Sequence, residues 1–131
     1  MYMLDTNICI YIIKKKPPSV LTRFQSLQPN DVAMSLITYG ELKYGALRSQ
    51  HAQKALNILQ ELQQIIPVLP MTHLVADHYA SIRQTLESKG KPIGNNDLWI
   101  AAHALALDLT LVSNNIREFE RVEALKLENW V

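Results

Sequence analysis

Three acidic residues stand out by where they fall. Asp5, Glu41 and Asp97 lie 36 and 56 residues apart, each at the end of a short apolar run or near the start of a helical pattern. A further polar cluster, Ser113-Asn114-Asn115-Ile116-Arg117-Glu118-Phe119-Glu120, follows the apolar run Leu109 to Val112. Carboxylates gathered from distant segments repel one another unless a cation lies between them. Mg²⁺ and Mn²⁺ take carboxylate and water oxygens, and a pair of such ions can activate water and stabilise the leaving oxygen in phosphodiester cleavage. His51, His73, His78 and His103 share no metal-ligand spacing, and Cys9 is the lone cysteine. Acids without a His or Cys cluster point to a hard cation rather than zinc.

Each acid also has a plain structural role. Asp5 can cap a helix from about Thr6 to Ile13, since Asp, Thr and Asn all suit that position. Glu41 follows Thr38 at the spacing of a capping box, and on spacing alone that reading is preferred; a cap at Ser35 would instead put Glu41 about a turn and a half inside the helix. Asp97 falls in the first turn of a helix capped by Asn95 or Asn96, where the macrodipole favours a negative charge. His103, on an alanine-rich helix, reads as a packed or hydrogen-bonded structural residue, and Trp99, four positions earlier, can stack with it. Cys9, between Ile8 and Ile10, reads as a small core residue, and Asp77 and Glu87 as members of solvated helix faces.

Elements that could bring the acids together are legible in the pattern. Tyr2 to Leu4, Val32 to Met34, Ile65 to Leu69 and Leu109 to Val112 are short apolar runs bounded by polar residues or proline, as buried strands are. Leu125 to Trp130 could add an edge strand, with Trp130 packed at its end. Helical periodicity covers Val20 to Leu27, Thr38 to Leu47, Ala52 to Leu62, Thr72 to Ser88 and Asp97 to Leu107. Strands alternating with helices imply an α/β domain with a mostly parallel sheet of four or five short strands, and ligands of such sheets bind at the carboxyl ends of the strands.

The 131 residues, 48% of them hydrophobic, suit one compact domain spanning 1–131. The longest apolar stretch, Leu98 to Leu107, is broken by His103 and falls short of the roughly 20 residues that cross a bilayer. Met-Tyr-Met-Leu-Asp is no secretory signal, so the expected location is the cytoplasm. A net charge of +1 is not the mark of a strongly basic nucleic-acid binder, although two bound dications would raise it from +1 to +5.

Four stretches together carry a resemblance: Met3-Leu4-Asp5-Thr6-Asn7; Ser35-Leu36-Ile37-Thr38-Tyr39-Gly40-Glu41-Leu42-Lys43-Tyr44-Gly45; Gly94-Asn95-Asn96-Asp97-Leu98-Trp99-Ile100-Ala101-Ala102-His103-Ala104; and Leu111-Val112-Ser113-Asn114-Asn115-Ile116-Arg117-Glu118-Phe119. In order and at this length they resemble a PIN domain of the VapC toxin family. The resemblance implies a PIN-like fold and a Mg²⁺-dependent endoribonuclease, with Mn²⁺ as an alternative ion. It implies that Asp5, Glu41 and Asp97 form the acidic metal site, which turns Glu41 from cap to ligand. Relatives commonly carry a fourth acid where this chain has Asn115; Glu118 is the replacement the pattern favours, with Glu120 as the other. The departure puts a second metal in question.

Thr6 and Ser113 hydroxyls would position waters or the scissile phosphate, Asn7 would orient Asp5, and Arg117 or a second metal would meet charge on the phosphate. Lys14, Lys15, Lys16, Lys43, Arg48 and Lys91 are further phosphate contacts to weigh against ordinary solvated side chains. The family further implies a structured RNA substrate such as the tRNA anticodon loop, a homodimer, and a VapB-type antitoxin covering the acidic groove. Apolar surface on the Tyr39 to Leu47 and Ala52 to Leu62 helices could serve those contacts. Three rival readings remain: a non-catalytic PIN scaffold binding RNA or protein, a DNA-directed nuclease, and a phosphatase with an aspartyl nucleophile. The last wants a second Asp two residues after the first, where this chain has Asn7.

Overall fold

The computed structural model describes residues 1–131. Five strands, β1 (Tyr2–Leu4), β2 (Val32–Ser35), β3 (Val68–Leu69), β4 (Thr110–Val112) and β5 (Leu127–Glu128), form one sheet in the order β3-β2-β1-β4-β5. Every pairing is parallel, with Leu4 opposite Met34 on one side and Val112 on the other. Seven helices connect and cover the strands: α1 (Thr6–Lys14), α2 (Pro18–Gln25), α3 (Leu36–Leu47), α4 (Ala52–Ile65), α5 (His73–Ser88), α6 (Asn95–Ala106) and α7 (Ile116–Phe119).

Parallel strands need crossovers, and the crossover helices bury both sheet faces. Alternation along the strands sorts the core into two layers. Leu4, Met34 and Val112 join Ile8, Cys9, Leu42, Leu59 and Leu62 on one face. Met3 and Leu111 join Leu98, Ile100, Ala101, Ala104 and Phe119 on the other. A fully buried Leu, Ile or Met contributes about 1.5–3 kcal/mol, so the two layers together hold the sheet. Ala101, Ala102 and Ala104 are completely buried, and their small side chains let α6 sit close to the strands. No helix is long and apolar enough to cross a membrane.

Several sequence expectations need correction. The run Ile65 to Leu69 is not one strand: Ile65 ends α4, and only Val68–Leu69 pairs in the sheet. Helix periodicity runs through Gln63, Gln64 and Ile65 before Pro67, which has no N–H to continue a helix. Helix α3 starts at Leu36, not Thr38, because the Ser35 hydroxyl accepts from the Ile37 amide at 3.1 Å. Thr38 is therefore inside the helix and the Thr38–Glu41 capping box does not form. Helix α6 starts at Asn95, with Gly94 in the cap position and no side-chain cap, so neither Asn95 nor Asn96 has that role. Trp99 does not pair with His103; it stacks on Tyr79 of α5, ring centroids 3.8 Å apart.

His103 instead ties three elements together. Its Nε2 lies 3.1 Å from the Pro70 carbonyl, which can only accept, so Nε2 carries the proton. Burial lowers the ring's pKa and keeps it neutral, and Nδ1 then accepts from the Ser35 hydroxyl at 2.8 Å. The C-terminal segment packs as read: Trp130 is buried, edge-on to Tyr2 at 5.5 Å, with its Nε1 donating to Glu128.

Candidate active site

The carboxyl ends of β1, β2 and β4 deliver Asp5, helix α3 and Ser113 to one edge of the sheet, and α6 brings Asp97 to it. Asp5 extends the ladder by one residue, its amide donating to the Val112 carbonyl at 3.0 Å. The residue is 5% exposed, and one carboxylate oxygen accepts from the Ile8 amide at 3.0 Å, capping α1. The cap weighed from sequence is present: it fixes the carboxylate through Oδ1 at the carboxyl end of β1. Asn7 is exposed and its side chain makes no hydrogen bond to Asp5, so the orienting group is the Ile8 amide and not the Asn7 side chain.

Glu41 sits a turn and a half inside α3, where the Ser35 cap puts it. Its Oε1 accepts from the Thr6 hydroxyl at 2.5 Å and its Oε2 from Asn96 Nδ2 at 3.4 Å. Thr38 adds a second hydroxyl, 3.4 Å from that of Thr6. Sequence reasoning gives Asn96 and Thr38 no role beyond capping; the signal that could have placed them beside the acids is their spacing to Asp97 and Glu41 on the same helices.

Asn115 joins the remaining two acids. Its Nδ2 donates to Glu118 Oε2 at 3.0 Å and reaches Asp97 Oδ2 at 3.4 Å, so an uncharged amide spans a pair of carboxyls. Its backbone amide donates to the buried Ser113 hydroxyl at 2.8 Å. Glu118 therefore faces the cluster, whereas Glu120 is exposed and lines a different recess with Arg117.

Electrostatics record the crowding. Burial is the largest influence on Asp5 and raises its pKa, opposed by the Ser113 hydroxyl and the Ile8 amide, with Glu41 adding to the rise. Asp97 is pushed up to about 7, first by burial, then by its hydrogen bond with Glu118 and by the Glu118, Asp5 and Glu41 charges. No Lys or Arg neutralises the group. The three ion pairs of the chain, Arg23–Glu128, Arg83–Glu87 and Lys126–Asp108, all lie elsewhere.

The acids do not form a closed cage, since no three His, Cys, Asp or Glu side chains converge tightly enough to ligate one ion as they stand. Mg²⁺ needs no such cage: it keeps several waters and is held through one or two carboxylates. An all-oxygen set with excess negative charge, no paired cation and a carboxyl driven toward neutrality fits a hard divalent ion. Asp5, Glu41, Asp97 and Glu118 are the side chains that could hold it.

The family model for the PIN domain matches residues 2–125. The chain is 43% identical over 131 residues to Ribonuclease VapC1 of Haemophilus influenzae, covering 99% of this chain and 98% of that protein. It is 43% identical over 129 residues to the tRNA(fMet)-specific endonuclease VapC of Shigella flexneri, covering 98% and 97%. Among solved structures, VapBC2 from Rickettsia felis bound to a DNA fragment from their promoter superimposes with a TM-score of 0.92 at 41% identity, covering 99% of this chain and 98% of that one. With acids at the same sheet edge that the motifs pointed to, and likeness running from end to end, the chain belongs to the VapC ribonucleases of the PIN-domain family.

Proposed function

We propose that this chain is a Mg²⁺- or Mn²⁺-dependent endoribonuclease that hydrolyses phosphodiester bonds in structured RNA, the tRNA anticodon loop being its substrate class. The observation that carries the reading is the acid cluster at the carboxyl edge: four carboxylates from four elements, with no basic side chain paired to any of them. A divalent cation held there would supply Lewis acidity toward the phosphoryl group and would lower the pKa of a water below its value in bulk.

The chain's own residues prepare that site. The Ile8 amide holds Asp5 in place before any ion arrives. Thr6 steadies Glu41, and Asn115 steadies Asp97 against Glu118. With its pKa raised to about 7, Asp97 would be partly protonated near neutral pH, and an ion held there would compete with that proton, coupling ion binding to pH. Ser113 lies behind Asp5 and lowers the cost of its charge. Asp5, Glu41, Asp97 and Glu118 are thus assigned to the ion and the reacting phosphate.

The substrate class is supported by the name of the Shigella relative, and the partner by solved VapBC assemblies. The proposed partner is a VapB-type antitoxin, with the toxin acting in the cytoplasm as a homodimer. A recess of about 370 Å³ between α1, α3 and α4, lined by Ile10, Ile13, Leu42, Ala46, Ile58 and Leu59 with Glu41 at its rim, offers apolar surface that leads to the acids.

The direct test is incubation with total tRNA in Mg²⁺ and in EDTA, followed by mapping of the cut ends. Cleavage should require the ion and should vanish in Asp5→Asn and Asp97→Asn while circular dichroism stays unchanged. Full activity of either variant in Mg²⁺ would remove the assigned acids from the reaction; binding of tRNA without any cutting would favour a non-catalytic scaffold.

A further inference from the structure

The acid cluster alone repels RNA, and the chain as a whole has a net charge of only +1. Attraction for a polyanion must therefore be local, and one part of the surface next to the acids has the required character. Helix α7 carries Glu118 toward Asn115 and Asp97. About 100° round the same turn, Arg117, Glu120 and Arg121 occupy positions i, i+3 and i+4 and share a face. The turn continues far enough to hold Arg121, whose amide bonds to the Glu118 carbonyl at 3.1 Å.

That face forms one wall of a recess of about 320 Å³ whose other wall is Gly90, Lys91 and Pro92, with no hydrophobic side chain in its lining. Arg121 Nη1 donates to the Pro92 carbonyl at 3.0 Å and so clips the two walls together. The Pro92 wall runs on through Gly94, where an added Cβ would lie 3.7 Å from Asp97 Oδ2, into the first turn of α6. Both walls therefore lead from the recess to the acids, one through Glu118 and one through Asp97. Lys91, Arg117 and Arg121 stand against the single carboxylate of Glu120, and none of the three cations is committed to an ion pair. Arg121 also borders a second recess of about 350 Å³, whose charged lining is Lys89 and Arg121 against Glu123 and whose remainder is largely apolar.

We infer that the recess between the Gly90–Pro92 loop and the Arg117–Arg121 turn is a phosphate-binding subsite that seats the RNA backbone beside the cleaved bond. The inference rests on the ribonuclease reading and assigns Lys91 and Arg117 to substrate holding, with Arg121 as the clip. Glu120 works against binding and makes the subsite weaker than its cations alone would be. A phosphodiester is the ligand rather than an apolar peptide, because four of the six lining residues are charged and three of those four are cations.

The test measures anisotropy of a fluorescein-labelled single-stranded RNA in EDTA, so that nothing is cut, across a salt series. Lys91→Gln with Arg117→Gln should weaken binding about tenfold and flatten the log–log salt slope by about 1.4, at roughly 0.7 for each phosphate of a single strand that is no longer neutralised. Glu120→Gln should tighten binding severalfold, a direction that damage to the fold does not produce. In Mg²⁺ the double variant should raise KM for tRNA. A wild type that cuts tRNA while both variants keep its affinity and slope would overturn the subsite and leave the nuclease reading standing. A wild type that neither binds nor cuts RNA would overturn both. Loss of binding to a partner protein with RNA affinity intact would assign the recess to that protein and refute the inference.

Discussion

Replacing Asp97 with Asn should make the metal-free protein more stable while disabling it. The carboxyl is held at about 7 against an ordinary 3.8, by burial first and then by Glu118, Asp5 and Glu41. For an acid whose folded-state pKa is raised, the native state holds the extra proton, so stability is greatest at low pH and falls as pH rises from the ordinary value through about 7. Roughly three units at 1.36 kcal/mol each set a ceiling of about 4 kcal/mol above that window. The carboxyl lies at an open edge, and solvent screening reduces this to about 1–2 kcal/mol. Asn keeps the shape and cannot ionise, so the variant should gain about 4–8 °C in Tm at pH 8 in EDTA, for a chain of this size. The gain should shrink as pH falls and be largely lost near the ordinary carboxylate value, where the wild-type carboxyl is neutral in the folded protein and mostly so in the unfolded chain. Adding Mg²⁺ at pH 8 should raise the wild-type midpoint more than that of the variant. Melting curves at the two pH values, with and without the ion, decide the matter. A variant that melts no higher than wild type at pH 8 in EDTA would show that the acids do not strain one another.

Other substitutions probe separate parts of the site and fold. Asn115→Asp should place a third carboxylate against Asp97 and Glu118, lowering metal-free stability by about 1 kcal/mol at pH 8 while tightening Mn²⁺ binding roughly tenfold, measurable by calorimetry; unchanged affinity would dismiss Asn115 from the site. Thr6→Val removes the donor to Glu41 Oε1; hydrogen bonds to charged groups are worth about 1.5–3 kcal/mol, so tRNA cleavage should drop at least tenfold while the melting midpoint stays within a few degrees. Trp130→Ala empties the buried contact with Tyr2 and should cost about 3 kcal/mol in urea unfolding, with the pH response of Asp97 preserved.

How much of this is legible in the sequence differs from residue to residue, for physical reasons. Asp5 is placed correctly because an acid directly after a three-residue apolar strand has one sheet edge to go to. Spacing alone misreads Glu41 as a cap partner and the resemblance restores it, since Ser35 and Thr38 are both competent caps and only the end of β2 at Ser35 chooses between them. The Ile65 to Leu69 run misleads because five apolar residues carry no period that separates a helix end from a strand. Cys9 and His103 are correctly sent to the core, but the partners of His103 lie 68 and 33 residues away and leave no local trace. Trp99 is lost to Tyr79 for the same reason: spacing of four allows a pair within a helix, and packing of α5 against α6 offers a better one. The bridge from Asn115 to two acids is also hidden, because a neutral amide reads as a missing charge until its donors are located.

The run of bonds from the Ile37 amide through Ser35 and His103 to the Pro70 carbonyl points in one direction only, so the ring proton has a single address. The ring has no solvent exposure of its own, so that hydrogen trades with solvent when the packing of α6 or its bond to the Pro70 carbonyl opens. Its exchange lifetime in a nitrogen-edited NMR spectrum is therefore a clock for how often the layer bearing Asp97 comes undone, read from a nucleus that touches none of the acids.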